Sequence, residues 1–105
     1  MTMGNNEGYY VGTDLKFAIN ITASGFNMNR DDYEIKIVCN NRTKTVTQDD
    51  IVEGDNNTHY LLVDTSEFGS GLIKLVVTAK VPDDDFENDY RREVTVHDLC
   101  YIKKT

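Results

Sequence analysis

The densest cluster of reactive side chains is an acidic segment, residues 83–89, which follows Pro82, the only proline of the chain. Carboxylates stand at positions 83, 85, 87 and 89, and alternating carboxylates supply the oxygen ligands of a calcium loop. An EF-hand loop also requires glycine at its sixth position and a bidentate glutamate at its twelfth. Those two positions hold Asn88 and Val94, so the calcium pattern fails.

The acidic segment also has cations close to it. Arg91 and Arg92 directly follow it, and they can neutralise the carboxylates without a metal ion. We therefore expect no metal and no cofactor. Residues 81–93 are interpreted as a solvated charged loop that Phe86, Tyr90 and Arg91 hold against the rest of the domain.

The histidines and serines do not form a recognisable catalytic pattern. His59 and His97 do not fall in the His-x-x-x-His or His-Glu-x-x-His spacing of metal sites. Ser66 and Ser70 are not embedded in a Gly-x-Ser-x-Gly nucleophile elbow. The sequence therefore predicts no catalytic residues, and we expect that the protein is not an enzyme.

The segment Asp64–Gly71 contains two glycines, but it does not resemble a phosphate-binding loop. A phosphate loop precedes a helix N-terminus, whereas this segment stands between two strand-like runs. It is predicted to be a turn that reverses the chain, with Phe68 covering the edge of the core.

Cys39 and Cys100 are too few for a disulfide scaffold, and their spacing is not that of a metal site. Both residues lie in strand-like runs. Buried free thiols are therefore expected in preference to a disulfide.

Composition excludes several classes of function. The chain has 105 residues and a formal net charge of −7, which disfavours nucleic acids and anionic membrane surfaces as partners. Its longest apolar runs fall far short of the roughly 20 residues of a membrane helix. The polar start, residues 1–8, lacks the apolar region of a secretory signal, so we expect synthesis in the cytoplasm.

Period-two alternation is the main secondary-structure signal. Leu15, Phe17, Ile19 and Ile21 alternate with more polar residues, as in a half-buried strand. Similar runs predict strands at residues 15–22, 33–39, 44–47, 59–64, 72–81, 93–96 and 99–102.

These runs indicate an all-β protein, an Ig-like antiparallel β-sandwich of about six or seven strands. The Cys…Trp…Cys signature of antibody domains is missing because the chain has no tryptophan, and an open barrel is the second possibility. Residues 1–11 are predicted to be a flexible N-terminal arm, and residues 12–105 a single domain.

Four segments, in this order, resemble small proteins encoded among the virion genes of tailed phages and prophages of gut Bacteroidales, including crAss-like phages. The resemblance spans nearly the whole chain. It departs from the expected pattern at Asn88-Asp89, where relatives are expected to have Asp-Gly. The four segments are Tyr10–Phe17, Gly25–Met28, Val63–Gly71 and Val81–Val94.

This resemblance implies a non-enzymatic structural protein of the virion, made in the cytoplasm of the bacterial host. A capsid head fibre or decoration component is expected, with the capsid or other virion proteins as partners. A homo-oligomer is also expected, and a two-fold dimer is favoured because a small sandwich exposes edges and faces to a second copy.

Candidate binding residues come from two places in the chain. Tyr9, Tyr10 and Val11 are predicted to contact a partner when the arm docks, because aromatic side chains contribute strongly to interfaces. The alternative function is a carbohydrate-binding adhesin module on a tail or fibre. It would use exposed aromatic side chains and is disfavoured by the lack of tryptophan; the candidates are Tyr33, Tyr60, Phe86, Tyr90 and Tyr101.

Overall fold

The computed structural model describes residues 8–55 and 58–104, which form two β-sheets. Two short 3-10 turns, Gln48–Asp50 and Thr65–Glu67, join strands. The strands are β1 (Tyr9–Tyr10), β2 (Asp14–Ile19), β3 (Tyr33–Cys39), β4 (Arg42–Thr45), β5 (Ile51–Glu53), β6 (His59–Asp64), β7 (Gly71–Pro82) and β8 (Tyr90–Lys103).

The strand order confirms the predicted Ig-like sandwich. One sheet has five strands in the order β1-β8-β7-β3-β4, and the other has three in the order β2-β6-β5. All neighbouring strands are antiparallel except β1, which runs parallel to β8. The described residues thus form two separate sheets, which excludes the open barrel.

The core lies between the inner faces of the two sheets. Strand β7 is the centre of the five-stranded sheet, and every second residue from Gly71 to Val81 is buried. Burying one such aliphatic side chain contributes about 1.5–3 kcal/mol, so the central strand dominates the stability of the sandwich. The buried cluster comprises Leu15, Ile35, Ile37, Cys39, Leu61, Val63, Phe68, Ile73, Leu75, Val77 and Ile102.

Strand β8 differs from its prediction in a way that has a physical cause. Residues 93–96 and 99–102 were expected to be two strands, but a single strand of 14 residues contains both, with a bulge at Leu99. Only Ile102 of these 14 residues is buried. The three-stranded sheet leaves most of β8 uncovered. The middle of the strand therefore lacks the buried apolar alternation that would have identified it as one continuous strand.

The start of the domain also differs from its prediction. Tyr9 and Tyr10 form β1, opposite Ile102 and Lys103 of β8, so the flexible arm expected for residues 1–11 does not extend to these positions. Gly8 lies so close to β8 that an added Cβ would overlap the carbonyl oxygen of Tyr101. Residues 8–11 therefore belong to the sandwich, and residues 1–7 lie outside the described residues.

A buried threonine connects this N-terminal segment to the opposite sheet. The Thr65 hydroxyl donates to the Thr13 carbonyl oxygen at 2.7 Å and accepts from the Gly12 N–H at 2.9 Å. Gly12 has a φ of +102°, a left-handed conformation that favours glycine. The segments Tyr10–Phe17 and Val63–Gly71 therefore meet at these hydrogen bonds.

We expect Thr65→Val to lower the free energy of unfolding by about 1–3 kcal/mol, because it leaves the Gly12 N–H without its acceptor. Thr65→Ser, which keeps the hydroxyl, is the matched control and should lose less. Urea unfolding and hydrogen exchange at the Gly12 amide measure both effects. Unchanged protection of that amide in Thr65→Val would contradict the proposed connection.

Candidate interaction surface

The acidic segment between β7 and β8 is a hydrogen-bonded corner. Arg91 Nη1 donates to Asp83 Oδ2 at 2.8 Å, and the Asp85 N–H donates to Asp83 Oδ1 at 3.1 Å. The same guanidinium also donates to Glu93 at 3.2 Å and to the Ser24 carbonyl oxygen at 3.3 Å. The predicted role of Arg91 in fixing this loop is confirmed.

The carboxylates of this corner are adjacent, but their contacts serve the loop itself. Oxygens of Asp83, Asp84 and Asp85 lie within 4.8 Å of one another. Asp83 is the only half-buried member, and both of its oxygens already accept hydrogen bonds. The triplet is therefore a charged turn in which the first carboxylate, that of Asp83, has a structural role.

Phe86 was expected to pin this corner to the domain, and that expectation is wrong. Its side chain is 51% exposed at the tip of the loop. Asp83 instead closes the loop by donating its N–H to the Asp89 carbonyl oxygen at 3.0 Å, and Asp89 has a φ of +66°. Glycine adopts this left-handed backbone conformation without the steric cost that a Cβ atom causes.

We expect Asp89→Gly to raise the free energy of unfolding by up to about 1 kcal/mol, since glycine relieves the left-handed strain. Asn88→Gly is the matched control. Asn88 has no positive φ, so glycine there should lower stability by roughly 0.5–1 kcal/mol. Equal effects of the two substitutions in thermal unfolding would refute this explanation.

Asp83 makes the stability of the corner depend on pH. The Asp85 N–H, followed by the Arg91 guanidinium, holds the pKa of Asp83 below its ordinary value of 3.8. A lowered folded-state pKa stabilises the protein above the unfolded value, and the benefit is lost as pH falls through the folded value.

Asp83→Asn should therefore be less stable than the parent protein at neutral pH, and the difference should shrink below about pH 4. Denaturant unfolding of both proteins at a series of pH values measures this difference. A difference that stays constant from neutral pH to strongly acidic pH would show that ionisation of Asp83 has no role.

The histidines and serines are in separate environments. His59 is buried at the start of β6, while His97 is exposed on β8 with Nε2 at 2.9 Å from the Thr95 hydroxyl. The Ser66 hydroxyl donates to Asp64 at 2.6 Å within its 3-10 turn. In the described part of the chain, neither Ser66 nor Ser70 hydrogen-bonds to a histidine. The predicted turn at 64–71 is confirmed, with Phe68 buried at its end.

The two cysteines are free thiols, as predicted. They lie on either side of Ile73, which is opposite Cys39 in β3 and opposite Cys100 in β8. Two strand spacings separate them by about 9–10 Å, beyond the reach of a disulfide. Burial raises the pKa of both thiols, and Cys100 is half-buried where full burial was expected.

The three predicted contact residues of the arm have different environments. Tyr9 and Val11 are half-buried and pack against the core. Tyr10 is 54% exposed, and the Lys103 ammonium lies 5.7 Å from the centre of its ring. A role for Tyr10 in partner binding stays a prediction, while Tyr9 and Val11 are engaged in the fold.

The outer face of the five-stranded sheet, the face turned away from the core, exposes apolar side chains at its centre. Val94 and Val96 of β8 are each 60% exposed there, opposite Thr78 and Val76 of β7. Sequence reasoning missed this surface, because alternating valines in a strand ordinarily mark its inner face. Here the inner face of β8 opposite these valines is polar and carries Glu93, Thr95 and His97.

The charge of this outer face differs from that of the whole protein. Four cations and two anions project from its central strands, so it is locally positive on a chain of net charge −7. These side chains are Lys36, Lys74, Lys80 and Arg92, together with Glu34 and Asp98.

The open flank of the sandwich forms a second apolar feature. A cleft of about 410 Å³ lies between β2 and the inner face of β8. Phe17, Ile19 and Leu99 line it, with Thr95 and His97 at its exposed side. The cleft exists because β2 ends the narrow sheet before it reaches β8.

In comparisons with known proteins, no family model, curated protein or solved structure matches this chain. Among the described residues, no helix has the length and apolar character needed to span a membrane.

Proposed function

We propose that this protein is a non-enzymatic structural component of a tailed-phage virion, made in the cytoplasm of the bacterial host. The proposed role is a capsid head fibre or decoration component. It acts through contacts with the capsid or other virion proteins and with a second copy of itself. The resemblance of four ordered segments to phage virion proteins supports the phage context.

The observation that favours a structural role is where those four segments lie in the fold. Tyr10–Phe17 and Val63–Gly71 are joined through the Thr65 hydroxyl. Residues 81–94 contain the acidic corner, and Arg91 links it to Ser24, immediately before Gly25–Met28. The segments that resemble phage proteins thus hold the turns of the sandwich, as expected of a scaffold.

The outer face of the five-stranded sheet supports action through protein contacts. Apolar side chains surrounded by charged ones are the usual composition of a protein interface. Valines exposed at the middle of a long, regular strand also leave an apolar surface that a partner can cover. The proposed partners are proteins, with no role for nucleic acid or membrane.

The adhesin alternative receives less support from the positions of the aromatic side chains. Tyr33 is half-buried and packs edge-on against Phe26 with ring centres 6.3 Å apart. Tyr90 and Tyr101 point outward from opposite ends of β8, roughly 35 Å apart at the usual rise of a strand. Tyr33, Tyr90 and Tyr101 therefore do not form one sugar-binding platform, although Phe86 and Tyr90 line a common pocket. Reproducible binding on a glycan array would revive this alternative.

Particle composition tests the virion assignment. Phage particles purified from a host that produces this chain should contain it in a fixed ratio to the major capsid protein, as measured by quantitative mass spectrometry. The ratio should persist through a density gradient, because an assembled component sediments with the particle. Recovery of the chain only in the particle-free fraction would overturn the proposed function.

A further inference from the structure

Four cross-strand rows form the centre of the outer face of the five-stranded sheet. Side chains directly opposite one another on neighbouring antiparallel strands project from the same face, so each row is one level of this surface. In order, the rows are Lys80 with Arg92; Glu34 with Thr78 and Val94; Lys36 with Val76 and Val96; and Val38 with Lys74 and Asp98.

The four rows are arranged evenly about a midpoint, which is the row of inward-facing residues between the second and third of them. Ile35, Val77 and Thr95 are directly opposite one another, and they lie midway between the rows of Val94 and Val96. Consider two copies of the chain stacked with these outer faces together and related by a two-fold axis midway between the two sheets. If the axis runs perpendicular to the strands at this level, each strand lies antiparallel over the same strand of the other copy. Each row of one copy would then face the row of the other copy that lies at the same distance on the opposite side of the midpoint.

This operation brings unlike charges together. Arg92 would face Asp98 of the second copy, and Glu34 would face Lys36 of the second copy. Every contact in a two-fold interface occurs twice, so four opposite-charge pairs would surround the centre. Glu34 lies 3.6 Å from the Lys36 ammonium of its own chain, so the facing pairs would join these two residues of both copies into one charge network. The side chain of Asp98 is 65% exposed and that of Glu34 is 54% exposed, so both can reach a facing sheet.

The centre of the same arrangement is apolar. Val94 of one copy would face Val96 of the other, which buries the two most exposed valines of the chain. Like charges meet in one kind of contact, Lys80 facing Lys74, which also occurs twice. Its repulsion is reduced because the Lys74 ammonium lies 4.0 Å from Asp98, and the Lys80 ammonium lies over the Tyr90 ring at 5.3 Å.

We propose that a second copy of this chain binds the outer face of the five-stranded sheet in this antiparallel two-fold arrangement. The inference rests on the dimer of the proposed function and adds its surface and register. Sheets that stack face to face lie about 10 Å apart with strands within about 30° of alignment, a separation that brings both valine rows into contact. The self-complementary order of charges favours a second copy over an unrelated protein.

The first test compares two substitutions at neighbouring positions of β8. Val96→Arg places a cation at the centre of the outer face, whereas Thr95→Arg places it on the opposite face, beside the cleft. Both positions are exposed, so both variants should fold, and circular dichroism checks this. Sedimentation equilibrium should show that Val96→Arg weakens dimerisation about tenfold or more, while Thr95→Arg leaves it unchanged.

The second test exchanges the facing charges. Arg92→Asp and Asp98→Arg should each weaken the dimer, because each places like charges opposite one another twice. The double variant restores opposite charges in the two-fold arrangement and should recover most of the parental affinity. Recovery requires residues 92 and 98 to meet across the interface, so it reports on the register as well as on the face.

Each outcome decides between specific possibilities. Loss of the dimer in Thr95→Arg but not in Val96→Arg would overturn the proposal and place the second copy at the cleft. A dimer that resists both would place it elsewhere, and additive losses in the double charge variant would overturn the register. A parent protein that is monomeric at every concentration would overturn the dimer, while the virion assignment would still be decided by particle composition.

Discussion

The unequal width of the two sheets is the constraint on which the rest of this structure depends. Three strands can cover β7, β3 and the end of β8 around Ile102, but residues 94–98 of β8 extend past β2 and are exposed on both faces. Stability is therefore concentrated in β7, whose inner side chains fill the core, and in the hydrogen bonds of Thr65 and Arg91 at the corners. The uncovered strand becomes a surface that is available to partners.

This constraint also explains which parts of the fold were predictable. Strands β3, β6 and β7 alternate between a buried and a solvated face, and they were found within one or two residues. Strands β1 and β5 have only two and three residues, too few for a period to appear. Strand β8 was divided in two because residues 94–98 are exposed on both faces and a bulge at Leu99 interrupts the register, whereas burial is what creates the alternation on which such predictions rest.

The candidate interaction surface was less predictable than the fold, because it depends on the face of the sheet from which each side chain projects. Sequence spacing identified Arg91 as the partner of the acidic corner, and the hydrogen bond from Arg91 to Asp83 confirms this. The same reasoning could not show that Val94 and Val96 face outward, since a period of two does not say which face is buried. Phe86 failed similarly: an aromatic residue in a loop was expected to pack, but the corner is already closed by backbone hydrogen bonds.

A small sandwich whose wider sheet leaves its outer face exposed is suited to the proposed assembly. The most direct measurement of the central claim is an isotope-filtered NMR experiment on a mixture of labelled and unlabelled chains. It detects contacts between methyl groups of different copies. The proposed interface predicts intermolecular signals between Val94 and Val96. Intermolecular signals confined to Ile19 and Leu99 at the cleft, with none from the valines, would contradict it.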